Sequence, residues 1–366
     1  MAVKDLVAVA GVPSRSGGAW YADATPERRD AVAVAALRSV GAVLVGTAAM
    51  HELAFGVTGV NALGTPANPV DPARIPGGSG SGSPVAVAER SADVSLGTDT
   101  GGSVRIPSAL CGVVDFKPSF GAYPLDGVLS LAPTLDHFGV HARTVREVAA
   151  VHAVLTGSAG VARWTGTPPV RPGAPRLGVA AVQQAECEPV VAGAQAFAAL
   201  GDAGVTLGGV ELPGTRTVLT VSTPILLAEA AIVYAVVLRR GLDQIGPDVA
   251  ERLMEGARTP SATHAKATAE RLAQHKRVSC LLDGVDAVID PTVPITAATF
   301  DEARGEPELG RRLVPFTRLA NLTGHPAVTI PLPGCDLPVG LQVLAATDEA
   351  ALDVASWCEH VLGSEP

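Results

Sequence analysis

Charged side chains are scarce in this chain. They make up 17% of 366 residues, against 47% hydrophobic. That balance argues against a disordered chain and predicts a globule with a large buried core. Clustered basic residues are also lacking, and the formal net charge is -9. Phosphate backbones are bound by grouped Lys and Arg, so no nucleic-acid surface is expected. Cysteine is sparse: Cys111, Cys187, Cys280, Cys335 and Cys358 are odd in number and show no CxxC spacing. Neither a disulfide framework nor a zinc site is expected, and a reducing cytoplasm suits such a chain. The most apolar run, ILLAEAAIVYAVVL from Ile225 to Leu238, is too short to span a bilayer and carries Glu229. It reads as a buried core helix, and no membrane partner is expected. Lys4, Asp5 and Pro13 interrupt the opening apolar run, which therefore does not read as a signal peptide.

What is present alternates between short apolar runs and helical patterns. Val3 to Ala10 reads as a buried strand closed by Gly11 and Pro13. Thr25-Pro26-Glu27 reads as a helix start, with the helix running to about Ser39. Ala42 to Gly46 reads as the next strand, which completes a β–α–β unit. Further strands are expected at Leu177 to Val182, Val205 to Leu212, Val285 to Asp290, Pro326 to Leu332 and Val339 to Ala345. A helix is expected from Pro189 to Leu200, and mostly helical structure from 226 to 280. No internal repeat and no clean domain boundary stand out; TGTPPVRPGAPR, 165 to 176, reads as a linker or insertion. The fold class expected is α/β, a single domain over 1–366 with a large mixed sheet flanked by helices.

Two stretches are suited to chemistry. IPGGSGSGSP, Ile75 to Pro84, is alone no more than a Gly/Ser-rich loop. GTDTGGSVRIP, Gly97 to Pro107, sets glycines directly before a serine and closes with Arg105 and Pro107. Glycines let backbone N–H groups point inward, the arrangement that stabilises an oxyanion in acyl transfer. No GKS, GKT or GxGxxG follows, so neither stretch is a phosphate loop. A serine nucleophile needs a base. None of the eight histidines lies in HExxH or an evident metal-ligand pair, and none stands out as the base. Lys4, held neutral by burial in an apolar strand, is the other option.

The run IPGGSGSGSPVAVAERSADVSLGTDTGGSVRIPSALCGVVDFKPSFG resembles the core segment of the amidase signature family. MAVKDLVAVAGVP resembles that family's lysine strand. VGTAAMHELAFG, LAPTLDHFGVHARTV, VDAVIDPTVP, NLTGHPAVTIPL and LPVGLQVLA extend the match to about residue 345. The resemblance implies hydrolysis of a carboxamide by a Ser–Ser–Lys triad, with no metal or organic cofactor. Lys4 stands in the place of the catalytic lysine, Ser79 of the bridging serine after a cis peptide, and Ser103 of the nucleophile. The amides of Thr100, Gly101, Gly102 and Ser103 would form the oxyanion hole, and Asp99 and Arg105 would pair to brace the turn. The signature core would span 1–145 and 280–346. A more variable, mostly helical region at about 150–280 would shape the substrate pocket, together with Met50 to Thr58 and Leu125 to Phe138. The few aromatics hint at an aliphatic or small acyl group.

Departures from the family pattern set further expectations. No helical segment precedes the lysine strand, so its edge is expected to be less covered, unless a homodimer partner covers it. Gly80 stands where a second serine is common, which predicts a thinner loop network. Thr47 and Ala49 replace a lysine and an asparagine, and Asp115 a glycine. Alternative readings are a catalytically impaired family member that binds a ligand, an acyl transferase to an amine, and an amidotransferase-type subunit. The last would need partner proteins and a tRNA.

Overall fold

The structure, a computed structural model, describes residues 1–157, 173–180, 186–306 and 308–363. Ten strands form one sheet: β1 (Ala2–Lys4), β2 (Gly46–Ala48), β3 (Ser95–Asp99), β4 (Val114–Lys117), β5 (His137–Ala142), β6 (Arg176–Ala180), β7 (Thr206–Val210), β8 (Ala287–Pro291), β9 (Ala327–Pro331) and β10 (Gly340–Leu344). Their order is β2-β1-β3-β5-β4-β9-β10-β8-β6-β7. β2, β1 and β3 run parallel at one end, β8, β6 and β7 run parallel at the other, and the pairs between are antiparallel. This is the expected mixed sheet. Most central strands are buried throughout, because helices and loops cover both faces of the sheet.

Helices flank it: α1 (Val32–Ser39), α2 (Gly82–Ala88), α3 (Arg105–Cys111), α4 (Val145–Thr156), α5 (Cys187–Asp202), α6 (Thr215–Val233), α7 (Ala235–Arg240), α8 (Pro247–Arg258), α9 (Ser261–Leu282), α10 (Phe300–Gly305), α11 (Leu309–Leu313), α12 (Arg318–Thr323) and α13 (Asp348–Leu362). The apolar run from Ile225 to Leu238 forms parts of two helices, α6 and α7, broken at Tyr234. α6 is apolar and long enough to cross a membrane by composition alone, but half of it is buried in the protein. Its Glu229 accepts hydrogen bonds from the Thr134 amide and hydroxyl at 2.9 and 2.6 Å. α8 packs closely on it: a Cβ at Gly256 would lie 2.1 Å from the Leu227 carbonyl oxygen.

Three local expectations need correction. The first strand ends at Lys4 instead of continuing to Ala10. The Asp5 carboxylate accepts from the Arg15 and Gly17 amides, both at 3.2 Å, and the Leu6 and Val7 amides turn back onto the Lys4 carbonyl. Such bonds compete with the strand ladder. Helix α1 begins at Val32, not near Pro26, because Glu27 and Ala31 are tied to residues 8–12. Gly11 donates to the Glu27 carbonyl at 2.9 Å, and Ala31 to the Ala8 carbonyl at 2.8 Å. β2 begins at Gly46, where the expected strand was to end. The stretch before it meets the chain terminus instead, with the Met1 ammonium donating to the Val43 carbonyl at 2.7 Å. Most of the 165–176 linker, and Ala181 and Val182 of the expected strand, lie outside the described residues.

Candidate active site

Parallel pairing of β1 with β3 brings Lys4, the last residue of its strand, beside Thr98. Lys4 is fully buried, and its Nζ lies 2.7 Å from Ser79 Oγ and 3.0 Å from Thr98 Oγ1. Burial lowers its pKa from 10.5 to about 7, against the opposing pull of Asp99 and Asp136. Near neutral pH much of this amine is therefore free base, the form a proton acceptor needs.

Ser79 follows a cis Gly78–Ser79 peptide bond and has no solvent exposure. The loop that carries it is bound to the turn at Ser103, since the Gly80 amide donates to the Ser103 carbonyl at 3.3 Å. A Cβ at Gly80 would lie 3.3 Å from that oxygen and 3.6 Å from Lys4 Cδ. The place where a second serine was expected is thus the contact point of the two serine loops and the lysine. Residues 75 sequence positions apart have become neighbours.

Asp99 organises the turn at Ser103. Its carboxylate accepts from the Gly102 amide at 2.8 Å, the Val104 amide at 3.1 Å, and Arg105 Nη2 and Nε at 2.9 and 3.1 Å. Both partners of the expected Asp99–Arg105 pair are buried completely. Burial alone would raise the Asp99 carboxyl, but the Arg105 charge and its hydrogen bonds hold it well below the ordinary range. Arg105 goes on to the Thr317 carbonyl (2.8 Å), Gln342 Oε1 (2.7 Å) and Asn321 Oδ1 (2.7 Å), while Asn321 Nδ2 donates back to Asp99 at 2.7 Å. The guanidinium nitrogens of the buried ion pair all meet acceptors, which is what makes such a pair tolerable.

Of the four amides expected to form an oxyanion hole, one is already engaged. Gly102 N–H is taken by Asp99, leaving Thr100, Gly101 and Ser103 without an acceptor among the described residues. Gly102 has φ of +122°, and a Cβ there would lie 2.3 Å from Thr317 Oγ1. Only glycine fits both the backbone conformation and the space. The Thr100 hydroxyl donates to Asp136 at 2.6 Å. Asp136 also gathers the Leu131 and Ala132 amides, which sets the LAPTLD segment beside the turn.

Ser103 opens on a cavity of about 510 Å³. Its walls come from the expected 50–58 and 125–138 segments, as Phe55 and Leu131, and from α6, as Leu219 and Leu226. A further wall was not anticipated. Residues 308–318, which the sequence placed in the signature core, contribute Val314 and Arg318. Thr98, Asp136, Thr317, Asn321 and Gln342 were likewise not singled out, although all but Thr317 lie in the runs GTDTGGSVRIP, LAPTLDHFGVHARTV, NLTGHPAVTIPL and LPVGLQVLA. Asp115, on β4, is buried and accepts from the Thr329 amide at 3.3 Å, and burial pushes its carboxyl well up.

Residues 1–352 match the family model for Amidase. The chain belongs to the amidase family. It is 33% identical to a glutamyl-tRNA(Gln) amidotransferase subunit of Salinispora tropica, over 99% of this chain and 83% of that protein. It is 31% identical to the indoleacetamide hydrolase of Pseudomonas savastanoi, over 98% and 82%. A solved amidase crystal structure superposes with a TM-score of 0.88 at 32% identity, covering 99% of this chain and 84% of that one. This amidase therefore shares its fold with enzymes whose names cover both amide hydrolysis and amido transfer.

Proposed function

We propose that this amidase hydrolyses a linear carboxamide through an acyl-enzyme on Ser103. The observation that carries the reading is the 2.7 Å contact of a fully buried Lys4 amine, its pKa lowered to about 7, with Ser79. Neutral Lys4 takes a proton from Ser79 as Ser79 takes one from Ser103, and Ser103 Oγ attacks the amide carbon. The Thr100, Gly101 and Ser103 amides receive the negative charge that develops on the carbonyl oxygen, where one lost donor costs about 10²–10³ in rate. The tetrahedral intermediate collapses, the relay returns the proton to the leaving nitrogen, and the C–N bond breaks. Water then enters, gives its proton to the same relay, and releases the carboxylate.

The test is intact-mass analysis after reaction with a serine-directed fluorophosphonate. One adduct is expected in the wild type, none in Ser103→Ala, and strongly slowed formation in Lys4→Ala. No adduct in the wild type would favour the impaired, ligand-binding reading. A second catalytic reading, part of an amidotransferase complex, draws on the 33% identity to the Salinispora tropica protein. Turnover of a small amide by this chain alone, lost in Ser103→Ala, would favour hydrolysis over it.

A further inference from the structure

The carboxylates that line the cavity above Ser103, Asp248, Glu251, Glu255 and Glu308, are all exposed, and so is Arg311. Arg252 and Arg318 lie deeper and are partly buried. Arg318 is the unusual one. Its Nε is enclosed and makes no hydrogen bond. Its Nη1 reaches only Ser222 Oγ at 3.5 Å and Thr223 Oγ1 at 3.4 Å, the weak end of hydrogen bonding. No carboxylate lies within ion-pair distance of it among the described residues. Burial first, and the like charge of Arg252 second, lower its pKa to about 10. A charged group with an enclosed, unpartnered nitrogen normally has an anion nearby, because its desolvation is otherwise uncompensated.

The place of this cation is specific. A Cβ at Gly101 would lie 3.2 Å from Arg318 Nε and 3.7 Å from Cζ. The guanidinium therefore rests on the turn whose amides face the reacting carbonyl. An anion seated on it would stand only a few bonds from that carbonyl.

We propose that Arg318 is a specificity-determining residue that receives a carboxylate carried by the acyl part of the substrate, so that the preferred amides are monoamides of short dicarboxylic acids. The proposal rests on the amidase reading for the word substrate, but the subsite itself can be tested without turnover. The Nη groups of Arg318 would pair with the carboxylate, relieving the repulsion from Arg252. The exposed acids at the mouth are screened by solvent and do little to oppose it.

The experiment is calorimetric binding to Ser103→Ala protein of malonamate, succinamate and glutaramate, each beside its uncharged methyl ester. At least one acid is expected to bind about 10-fold or more tightly than its ester, the value of a charged hydrogen bond. That preference should vanish in Ser103→Ala/Arg318→Gln and shrink with added salt in the parent protein. Equal affinity of acid and ester in all three pairs would overturn the proposal, as would a preference that survives Arg318→Gln or ignores salt. Melting curves check that the glutamine variant folds, and the salt series decides the matter if it does not. Turnover of neutral amides by the Ser103 protein with no acid preference in binding would sink this inference and leave the amidase reading standing. Acid binding through Arg318 without any turnover would do the reverse.

Discussion

Replacing Lys4 by methionine should make the protein inactive and, near neutral pH, more stable. The unfolded chain holds a lysine proton up to about pH 10.5, whereas the folded chain releases it at about 7. At pH 7 that difference costs the fold about 4 kcal/mol. Methionine removes the cost but leaves the Ser79 and Thr98 hydroxyls without their amine, a loss of about 1–3 kcal/mol. The net expectation is a variant about 1–3 kcal/mol more stable at pH 7. Between pH 7 and pH 10.5 the unfolded state binds more protons, so wild-type stability gains from Lys4 as pH rises, and the gain is lost as pH falls toward 7. At pH 10 the remaining cost is about 1 kcal/mol. The advantage of Lys4→Met should therefore shrink by about 3 kcal/mol from pH 7 to pH 10. Urea unfolding of both proteins at the two pH values measures it, provided the m-values agree. A stability difference that does not change with pH would refute a depressed Lys4 pKa and with it the neutral base.

Three further outcomes are expected. The rate kcat/KM should fall about tenfold per pH unit below about pH 7, as Lys4 takes up its proton; a flat profile from pH 9 to pH 5 would remove Lys4 as the base. Arg105→Met leaves the Asp99 carboxylate buried without its partner and should cost about 3–5 kcal/mol in thermal or urea unfolding; a loss below about 1 kcal/mol would mean that Asn321 and the turn amides suffice. Gly102→Ala must move Thr317 or the backbone, given the 2.3 Å approach, so fluorophosphonate labelling of Ser103 should slow by about 10² or more, and unchanged labelling would show that the turn tolerates displacement.

Much of the site could be read from the chain because its chemistry is carried by short contiguous runs. GTDTGGSVRIP holds the proposed nucleophile, the proposed oxyanion amides and both partners of the ion pair within eleven residues, and the local turn brings them together. The strands at β8, β9 and β10 were legible for a similar reason: each is a brief apolar run bounded by glycine or proline. Their pairing order was not, since an apolar run looks the same beside any neighbour. The ends of β1 and α1 were misplaced because hydrogen bonds from distant residues decided them. Asp5 reaches Arg15 and Gly17, and Glu27 reaches residues 11 and 12.

By itself, the sequence determined which residues could be nucleophile, relay and base, because those roles depend on residue type in a recognisable local frame. Only the tertiary structure decided that Gly102 N–H serves Asp99 and not an oxyanion, that Lys4 is enclosed enough to lose its proton near neutrality, and that Arg318 lies against Gly101. The Gly102 bond depends on the exact backbone turn, and the other two depend on desolvation or on contact between segments as many as 217 positions apart, none of which is written in a short stretch of chain.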